Sequence, residues 1–235
     1  MNTIAPQNKQ QYYSRKLNDN NIEKIQEVME LLKPGDIIVA EPAHYSKFRL
    51  KDWVARGSRV IQNTRWGHTG LYDGNGIVLE ARVDVLIGPG KLFDGMTCRS
   101  MDKYIIEQNF LIARPIACEQ AKYDAIEKMR EFLGKGYIKY DKFRFFVGGL
   151  DLMGIKFMGK RDFEESHRAI CSEVIAKAYV DSVDFVKGRH YSQILPTHIL
   201  YSNMVEHIAV VERNKFGEIR IRKLYNNYSS SREII

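Results

Sequence analysis

The chain has 235 residues, of which 44% are hydrophobic and 28% charged, a composition that suits one large globular domain or a domain with appendages. Its formal charge of +7 comes from lysines and arginines spread along the chain, so the charge permits an anionic partner without requiring one, and nucleic-acid binding is not expected. The first residues lack the apolar core of a secretory signal, and no stretch approaches the ~20 apolar residues of a membrane span. We therefore expect a cytoplasmic or virion-associated protein.

In chain order, a polar arm over residues 1–19 comes first, and we expect it to order only against a partner. The next segment places apolar residues at helical spacing and stops at Pro34, which predicts a helix. The run "DIIVA" over residues 36–40 predicts a short buried strand. Residues 41–64 are interpreted as an excursion, partly helical.

Two strand-like runs follow, "HTGLY" at 68–72 and "IVLEA" at 77–81, on either side of a Gly-rich turn. Residues 109–117 predict a further strand. Residues 119–136 carry one apolar helical stripe, with Gly134 expected to cap the helix. The aromatic, Gly-rich segment 137–163 is interpreted as a loop with short helices that covers a cleft.

A helix over residues 166–182 is predicted next, with Cys171 near its beginning, and "HIAVVERN" at 207–214 predicts the last strand. These elements indicate an α+β fold in which an antiparallel sheet packs against helices. The predicted organisation is an arm over 1–19, a domain over 20–211 and a basic tail over 212–235.

The hairpin carries two titratable side chains, His68 and Glu80, in runs that are otherwise mostly apolar. Side chains alternate faces along a strand, so an odd-numbered loop is needed to bring both to the same face. A three-residue loop over 73–75 would set His68 directly opposite Glu80, within reach of a carboxylate–imidazole hydrogen bond. The alternatives without a catalytic role are a hydrogen-bonded core histidine at position 68 and a solvent-facing carboxylate at position 80.

Such a carboxylate fixes the tautomer of the imidazole and leaves its other nitrogen for a nucleophile. Cys171 is the best candidate because the partial positive charge of a helix N-terminus stabilises a thiolate. Cys171 also lies on the apolar stripe of its helix, so a packed core thiol is the alternative. His167, four residues earlier, is a second candidate base.

No disulfide scaffold, metal site or cofactor is predicted. Cys98, Cys118 and Cys171 are odd in number and far apart, without the paired spacing of zinc ligands. The remaining histidines also lack helical ligand spacing; they are His44, His167, His190, His198 and His207.

The motifs "LKPGDIIVA", "VIQNTRWGHTGLYDGNGIVLEA", "GYIKYDKF", "ICSEVIAKAY" and "ILPTHILYS" resemble the circularly permuted papain-fold proteins of the YiiX/YebB-like group. These are relatives of NlpC-type cell-wall peptidases and of the lecithin retinol acyltransferase family. The resemblance covers about residues 31–210. It implies a permuted papain-like fold, in which the histidine strand precedes the cysteine helix.

The resemblance also implies site roles. Cys171 would be the nucleophile, His68 the general base that becomes the general acid, and Glu80 the group that orients it. Tyr140 would donate to the oxyanion beside the backbone N–H of Cys171, with Tyr137 as the competing choice. The expected activity is a cysteine hydrolase acting on an amide or ester, such as cell-wall peptide, an isopeptide or a lipid ester.

One departure from the family concerns the acyltransferase branch, which presents an Asn-Cys-Glu-His cluster. This chain has "AICSEVI" instead, so lipid acyl transfer is less favoured. The alternative function is a structural or binding component of a large, phage-like assembly that keeps the papain-like scaffold and docks through its termini.

Overall fold

The computed structural model describes residues 19–41, 65–84, 93–136, 139–141, 159–160 and 167–224. Five α-helices lie in these ranges: α1 (Asp19–Leu31), α2 (Met101–Glu107), α3 (Glu119–Lys135), α4 (Cys171–Ala178) and α5 (Pro196–Leu200). The strands there are β1 (Ile37–Ala40), β2 (His68–Tyr72), β3 (Ile77–Asp84), β4 (Phe93–Ser100), β5 (Phe110–Pro115), β6 (Lys139–Tyr140), β7 (Arg168–Ala169), β8 (Val205–Arg213) and β9 (Ile219–Lys223). A 3₁₀ turn spans Tyr191–Gln193.

Seven strands form one antiparallel sheet in the order β4-β3-β2-β1-β5-β8-β9. The α+β class predicted from the sequence is confirmed. A separate parallel pair, β6 and β7, leads directly into α4. Because β7 ends two residues before Cys171, this small ladder holds the chain at the point where α4 begins.

Helices cover both faces of the sheet, which explains why β1 is apolar on both sides. Ile37 and Val39 belong to a core cluster that includes buried residues of α3 and α4. Ile38 and Ala40 face the other way, into a cluster with residues of α1 and α2. The sheet therefore separates α3 and α4 on one face from α1 and α2 on the other.

A buried ion pair ties α1 to the middle of the sheet. Asp36 precedes β1 and is fully buried, and Arg114 on β5 donates to both of its carboxylate oxygens at 2.8 Å. The same guanidinium donates to the carbonyl of Leu31, the last residue of α1, at 2.8 Å. A bidentate pair of this kind fixes orientation as well as distance, so it sets the angle between the end of α1 and the sheet.

Most elements predicted in chain order are confirmed: α1, β1, β2, β3, β5, α3, α4 and β8. Four details were wrong. The helix predicted over 166–182 begins only at Cys171, because Arg168 and Ala169 form β7. The left-handed cap of α3 is Gly136, with φ of 66°, and not Gly134. The strand at 205–213 is not the last, because β9 pairs with it, so the sheet continues twelve residues past the domain boundary predicted at 211.

The structure also contains β4 and α2, to which no sequence prediction was assigned. The arm before residue 19, most of the excursion at 41–64, most of the segment 137–163 and the last eleven residues lie outside the described residues. In the part of the chain that the structure covers, no helix has both the length and the apolar composition needed to cross a membrane.

Gly35 is the position in the fold where a side chain is least tolerable. Its φ is +84°, and a Cβ there would lie 2.6 Å from Cβ of Lys122 and 2.8 Å from the hydroxyl of Tyr179. The carbonyl of Gly35 accepts the Tyr179 hydroxyl at 2.7 Å, and the Cβ of Lys122 is fixed by its helix, so neither neighbour can move away freely. We expect Gly35→Ala to lower the free energy of unfolding by about 3 kcal/mol or more, from backbone strain and overpacking together.

Urea denaturation measures this loss. Gly136→Ala is the matched control, because Gly136 is also left-handed but a Cβ there would approach nothing closer than 4.0 Å. Backbone strain alone should cost the control about 1 kcal/mol. Equal losses in the two variants would contradict the packing argument.

Candidate active site

Cys171 is the first residue of α4 and is fully buried. Two hydrogen bonds fix the start of this helix. The carboxylate of Glu173 accepts the backbone N–H of Ile170 at 2.8 Å, and the hydroxyl of Ser172 donates to the carbonyl of Ile194 at 2.7 Å. The first N–H groups of a helix have no partner within the helix and carry partial positive charge, which favours a thiolate at this position.

His68 begins β2, and its imidazole lies between a carboxylate and the sulfur. Nε2 is 2.6 Å from Oε2 of Glu80, and the side chain of His68 is 15% exposed whereas that of Glu80 is fully buried. The imidazole also forms a hydrogen bond with Cys171. Because Nε2 is engaged with Glu80, Nδ1 is the ring nitrogen left for the sulfur. The structure therefore brings the three predicted residues together.

The loop that joins β2 to β3 is longer than predicted. Tyr72 pairs with Val78, not with Gly76, so five residues and not three lie between the paired positions. Extending that register would set His68 opposite Arg82, and the imidazole reaches Glu80 on the diagonal. The predicted direct opposition of His68 and Glu80 was wrong, but five is also an odd number, so both side chains still lie on one side of the hairpin.

Glu80 is held by more than the histidine. The phenol of Tyr104, on α2, donates to Oε2 of Glu80, the same oxygen that faces His68. The guanidinium of Arg82 donates to Oε1 at 3.1 Å. A carboxylate with no exposed surface is costly unless it is paired and hydrogen-bonded, and here both oxygens are. Neither Tyr104 nor Arg82 was predicted as a site residue.

The pKa values at the site follow from burial and these contacts. Burial alone would raise the pKa of Glu80, but the hydrogen bond and charge of His68, the charge of Arg82 and the hydrogen bond from Tyr104 lower it to about 2. Burial alone would lower the pKa of His68, but the charge and hydrogen bond of Cys171, and then those of Glu80, raise it to about 9. At neutral pH the carboxylate is charged and the imidazole is protonated.

The pKa of the Cys171 thiol shifts in the opposite direction to that of His68. Burial alone would raise the pKa of Cys171, but the charge of His68 and its hydrogen bond, together with the backbone of Thr69, hold that pKa below its ordinary value. A thiolate–imidazolium pair supported by a buried carboxylate is the charge state that these contacts favour. A thiolate is the nucleophilic form of cysteine.

Other sequence candidates do not join this cluster. His167 is exposed, and the hydrogen bond that lowers the pKa of Cys171 comes from His68, so His167 is not the base seen here. Cys98 and Cys118 are exposed free thiols. In the portions of the chain that the structure covers, no three His, Cys, Asp or Glu side chains lie close enough together to hold a metal ion.

Tyr140 was predicted to serve the oxyanion. Its backbone lies in β6 and pairs with Ala169, two residues before the sulfur in the chain. The side chain of Tyr140 and the whole of Tyr137 lie outside the described residues. The choice between the two tyrosines therefore stays a prediction.

The contribution of Tyr104 to the site can be measured as stability. Burial and the charge of Glu80 raise the pKa of Tyr104 well above its ordinary value, so the phenol stays protonated and remains a donor. We expect Tyr104→Phe to lower the free energy of unfolding at neutral pH by about 1–3 kcal/mol, because the variant leaves a buried carboxylate short of one donor.

Urea denaturation of Tyr104→Phe beside Tyr72→Phe separates this effect from the general loss of a buried hydroxyl. Tyr72 is also buried, but its hydroxyl accepts only a 3.3 Å hydrogen bond from the backbone of Gly76. The control should cost about 1 kcal/mol or less. If both variants lost the same free energy of unfolding, the Tyr104–Glu80 hydrogen bond would contribute no more than an ordinary buried hydroxyl.

Comparison with protein-family models, with curated proteins and with solved structures finds no match for this chain. The geometry of Cys171, His68 and Glu80 therefore stands on its own contacts.

Proposed function

We propose that the chain is a cysteine hydrolase with a permuted papain-like fold of the NlpC type, which cleaves an amide or ester through a thioester intermediate. The observation that carries this proposal is the chain of contacts from a buried carboxylate through one imidazole to a thiol at a helix N-terminus. A nucleophile, a base in hydrogen-bond contact with it and a third group that orients the base make up the arrangement of a catalytic triad. The resemblance noted in the sequence favours the same activity.

In the proposed reaction, the thiolate of Cys171 attacks the carbonyl carbon and forms a tetrahedral intermediate. The imidazolium of His68 gives its Nδ1 proton to the leaving amine or alcohol as the carbon–heteroatom bond breaks, which leaves an acyl thioester on the sulfur. The neutral imidazole then removes a proton from water as the water attacks the thioester. The acid product leaves, and the thiolate and imidazolium are restored.

Glu80 has an electrostatic task in this cycle. It keeps the Nε2 proton in place and stabilises the positive charge of the ring before the first proton transfer and after the last. Tyr104 and Arg82 hold the carboxylate so that it cannot turn away or take up a proton itself. Tyr140 and the backbone N–H of Cys171 are the proposed donors to the oxyanion.

The pH dependence of thiol alkylation tests this proposal. At about pH 6 an ordinary thiol with a pKa of about 8.5 is almost wholly protonated and reacts slowly. Because the pKa of Cys171 is lowered, we expect its alkylation by iodoacetamide to reach a plateau at lower pH than that of an ordinary thiol. Peptide mapping by mass spectrometry follows each cysteine separately, and the shape of the profile is compared because Cys171 is buried.

The exposed Cys98 and Cys118 serve as internal references in the same sample. In a His68→Asn variant, the Cys171 profile should move to higher pH while the two reference profiles stay in place. A Cys171 profile that coincides with the references would contradict the proposal. So would a sulfur that no alkylating agent reaches, since a hydrolase must admit a substrate to its nucleophile.

A further inference from the structure

A pocket of about 350 Å³ lies at the β9 edge of the sheet, where the β8–β9 hairpin meets the beginning of α1 and the end of α2. It is built from different strands than the site at Cys171. Its walls include two cations, Arg213 and Lys215, and one carboxylate, Glu218. Phe216, at the hairpin turn, also lines it and is 77% exposed, the most exposed of the large apolar residues that the structure describes.

The two cations of this pocket have no acidic partner among the described residues. In the described residues, neither Arg213 nor Lys215 forms an ion pair, and Nε of Arg213 is buried without a hydrogen-bond acceptor. Five other arginines each lie within 4.0 Å of a carboxylate: Arg65, Arg82, Arg99, Arg114 and Arg130. Because Nε has no exposed surface, the donors that an anion in the pocket can meet are the Nη–H groups of Arg213 and the ammonium of Lys215.

The glycine at position 217 leaves room for the guanidinium at the pocket wall. Nη2 of Arg213 lies 3.1 Å from the point where a Cβ would stand on Gly217, so a side chain at 217 would press on it. The hairpin turn is held by the side chain of Asn214, which accepts the backbone N–H groups of Phe216 and Glu218 at 2.9 and 3.0 Å. Asn21 of α1 closes the pocket wall by accepting the N–H of Ile219 at 3.3 Å.

We propose that this pocket binds a phosphate group, with Arg213 as the principal donor and Lys215 as a second positive charge. The two Nη groups of arginine form a planar fork whose N–H groups match two oxygens of a phosphate. Exposed Phe216 offers apolar contact to the organic part of a phosphate ester. This binding site is independent of the proposed hydrolase activity.

The test uses the full chain and inorganic phosphate as the probe. The arginine Nε–Hε signals are followed by ¹⁵N NMR while phosphate is added at constant ionic strength, with chloride as the reference anion. We expect the signal of Arg213 to shift with phosphate and to saturate, and not to move with chloride. A shift that grows linearly without saturation, or no shift, overturns the site.

Three variants sharpen the result. Arg213→Gln should weaken phosphate binding at least tenfold, whereas Glu218→Gln should strengthen it, because that variant removes the negative charge from the pocket wall. Arg220→Gln is the matched control, since Arg220 is an exposed arginine on the same hairpin outside the pocket, and it should change affinity less than twofold. Equal weakening by Arg213→Gln and Arg220→Gln would show diffuse attraction to the basic hairpin and overturn the proposal.

Sedimentation with vesicles distinguishes the two sources of a phosphate ester. If the ligand is a phospholipid headgroup, the protein binds vesicles that contain phosphatidylglycerol and not vesicles of phosphatidylcholine alone, and Phe216→Ser reduces this binding. If it is a small phosphate ester, the protein stays in solution with both. Either result, combined with saturable phosphate binding, supports the site and names its source.

Discussion

Replacement of Cys171 by alanine is expected to reduce the hydrolysis of an activated ester, such as 4-nitrophenyl acetate, by about 10³-fold or more. The variant removes the group that would attack the carbonyl and leaves His68 and Glu80 in place. It also removes the sulfur whose charge helps to keep the imidazole protonated, so the pKa of His68 should fall from its raised value of about 9.

Mass spectrometry of the protein during turnover checks the chemical step directly. An acetyl group should appear on the peptide that contains Cys171 in the native chain and be absent from Cys171→Ala. Cys118→Ala is the control, because Cys118 is an exposed thiol outside the site, and its hydrolysis rate should equal that of the native chain. Loss of the acetylated peptide in the control, or undiminished hydrolysis by Cys171→Ala, would move the activity elsewhere.

Glu80→Gln is expected to have the second large effect, on both turnover and stability. Glutamine cannot balance the imidazolium charge, and its NH₂ group could face the Nε2 proton, so we expect a loss of about 10²-fold or more in hydrolysis. The pKa of Glu80 falls on folding from 4.5 to about 2, and at about 1.36 kcal/mol per pH unit this amounts to about 3 kcal/mol of stability at neutral pH.

The sign of the pH dependence distinguishes this contribution from a packing effect. A group with a lowered pKa in the folded state stabilises above its unfolded pKa, so the Glu80 contribution should disappear as the pH falls from about 4.5 to about 2. The raised pKa of His68 alone would remove stability as the pH rises from 6.5 to about 9, but the lowered pKa of Cys171 acts in the opposite sense. In that range the folded pair holds one proton on the imidazole and the unfolded pair holds one on the thiol, so the two effects offset each other.

Urea denaturation between about pH 2 and pH 7 should therefore give a native stability that declines toward low pH, and a flatter curve for Glu80→Gln. Glu127→Gln is a suitable control, since Glu127 and its partner Arg130 are both exposed and such a pair should contribute little. A Glu80→Gln curve parallel to the native curve at all pH values would mean that the His68–Glu80 pair does not couple to folding.

The hairpin shows how sequence reasoning reached the right pair through the wrong register. Two such side chains share a face of the hairpin whenever the loop has an odd number of residues. A predicted loop of three and an observed loop of five therefore both place His68 and Glu80 on one face. The longer loop has a local cause, because the carboxylate of Asp73 accepts the N–H groups of Asn75 and Ile77 at 2.8 and 3.1 Å. An aspartate that can bond two backbone amides ahead of it favours a wider turn.

Tyr104 was missed for a different reason. It lies 24 residues after Glu80 in the chain, on a short helix that follows a strand of mixed polar composition, "FDGMTCRS". No periodicity within that strand shows that it pairs with β3 over eight positions and delivers α2 to the carboxylate. Contacts at such separation depend on tertiary packing, which local pattern does not encode.

The strand β9 could have been predicted. In "IRIRK" apolar and basic residues alternate with the period of a strand, and Ile219 is buried as this pattern requires. The high positive charge of the segment favoured the interpretation as a tail. The alternation was therefore a better indicator of structure than the charge, since an edge strand tolerates basic residues on its open side.

The first helix and the last strand of the sheet lie against each other, and Lys223 of β9 contacts Glu27 of α1 at 3.1 Å. Because the two ends of the described fold meet, the backbone could be closed there by a linker and opened between β6 and β7 while Cys171, His68 and Glu80 keep their contacts with one another. The cysteine helix would then come early in the chain and the histidine strand later, which is the papain order. The position of the chain ends is thus a matter of connectivity, on which the chemistry of the buried thiol does not depend.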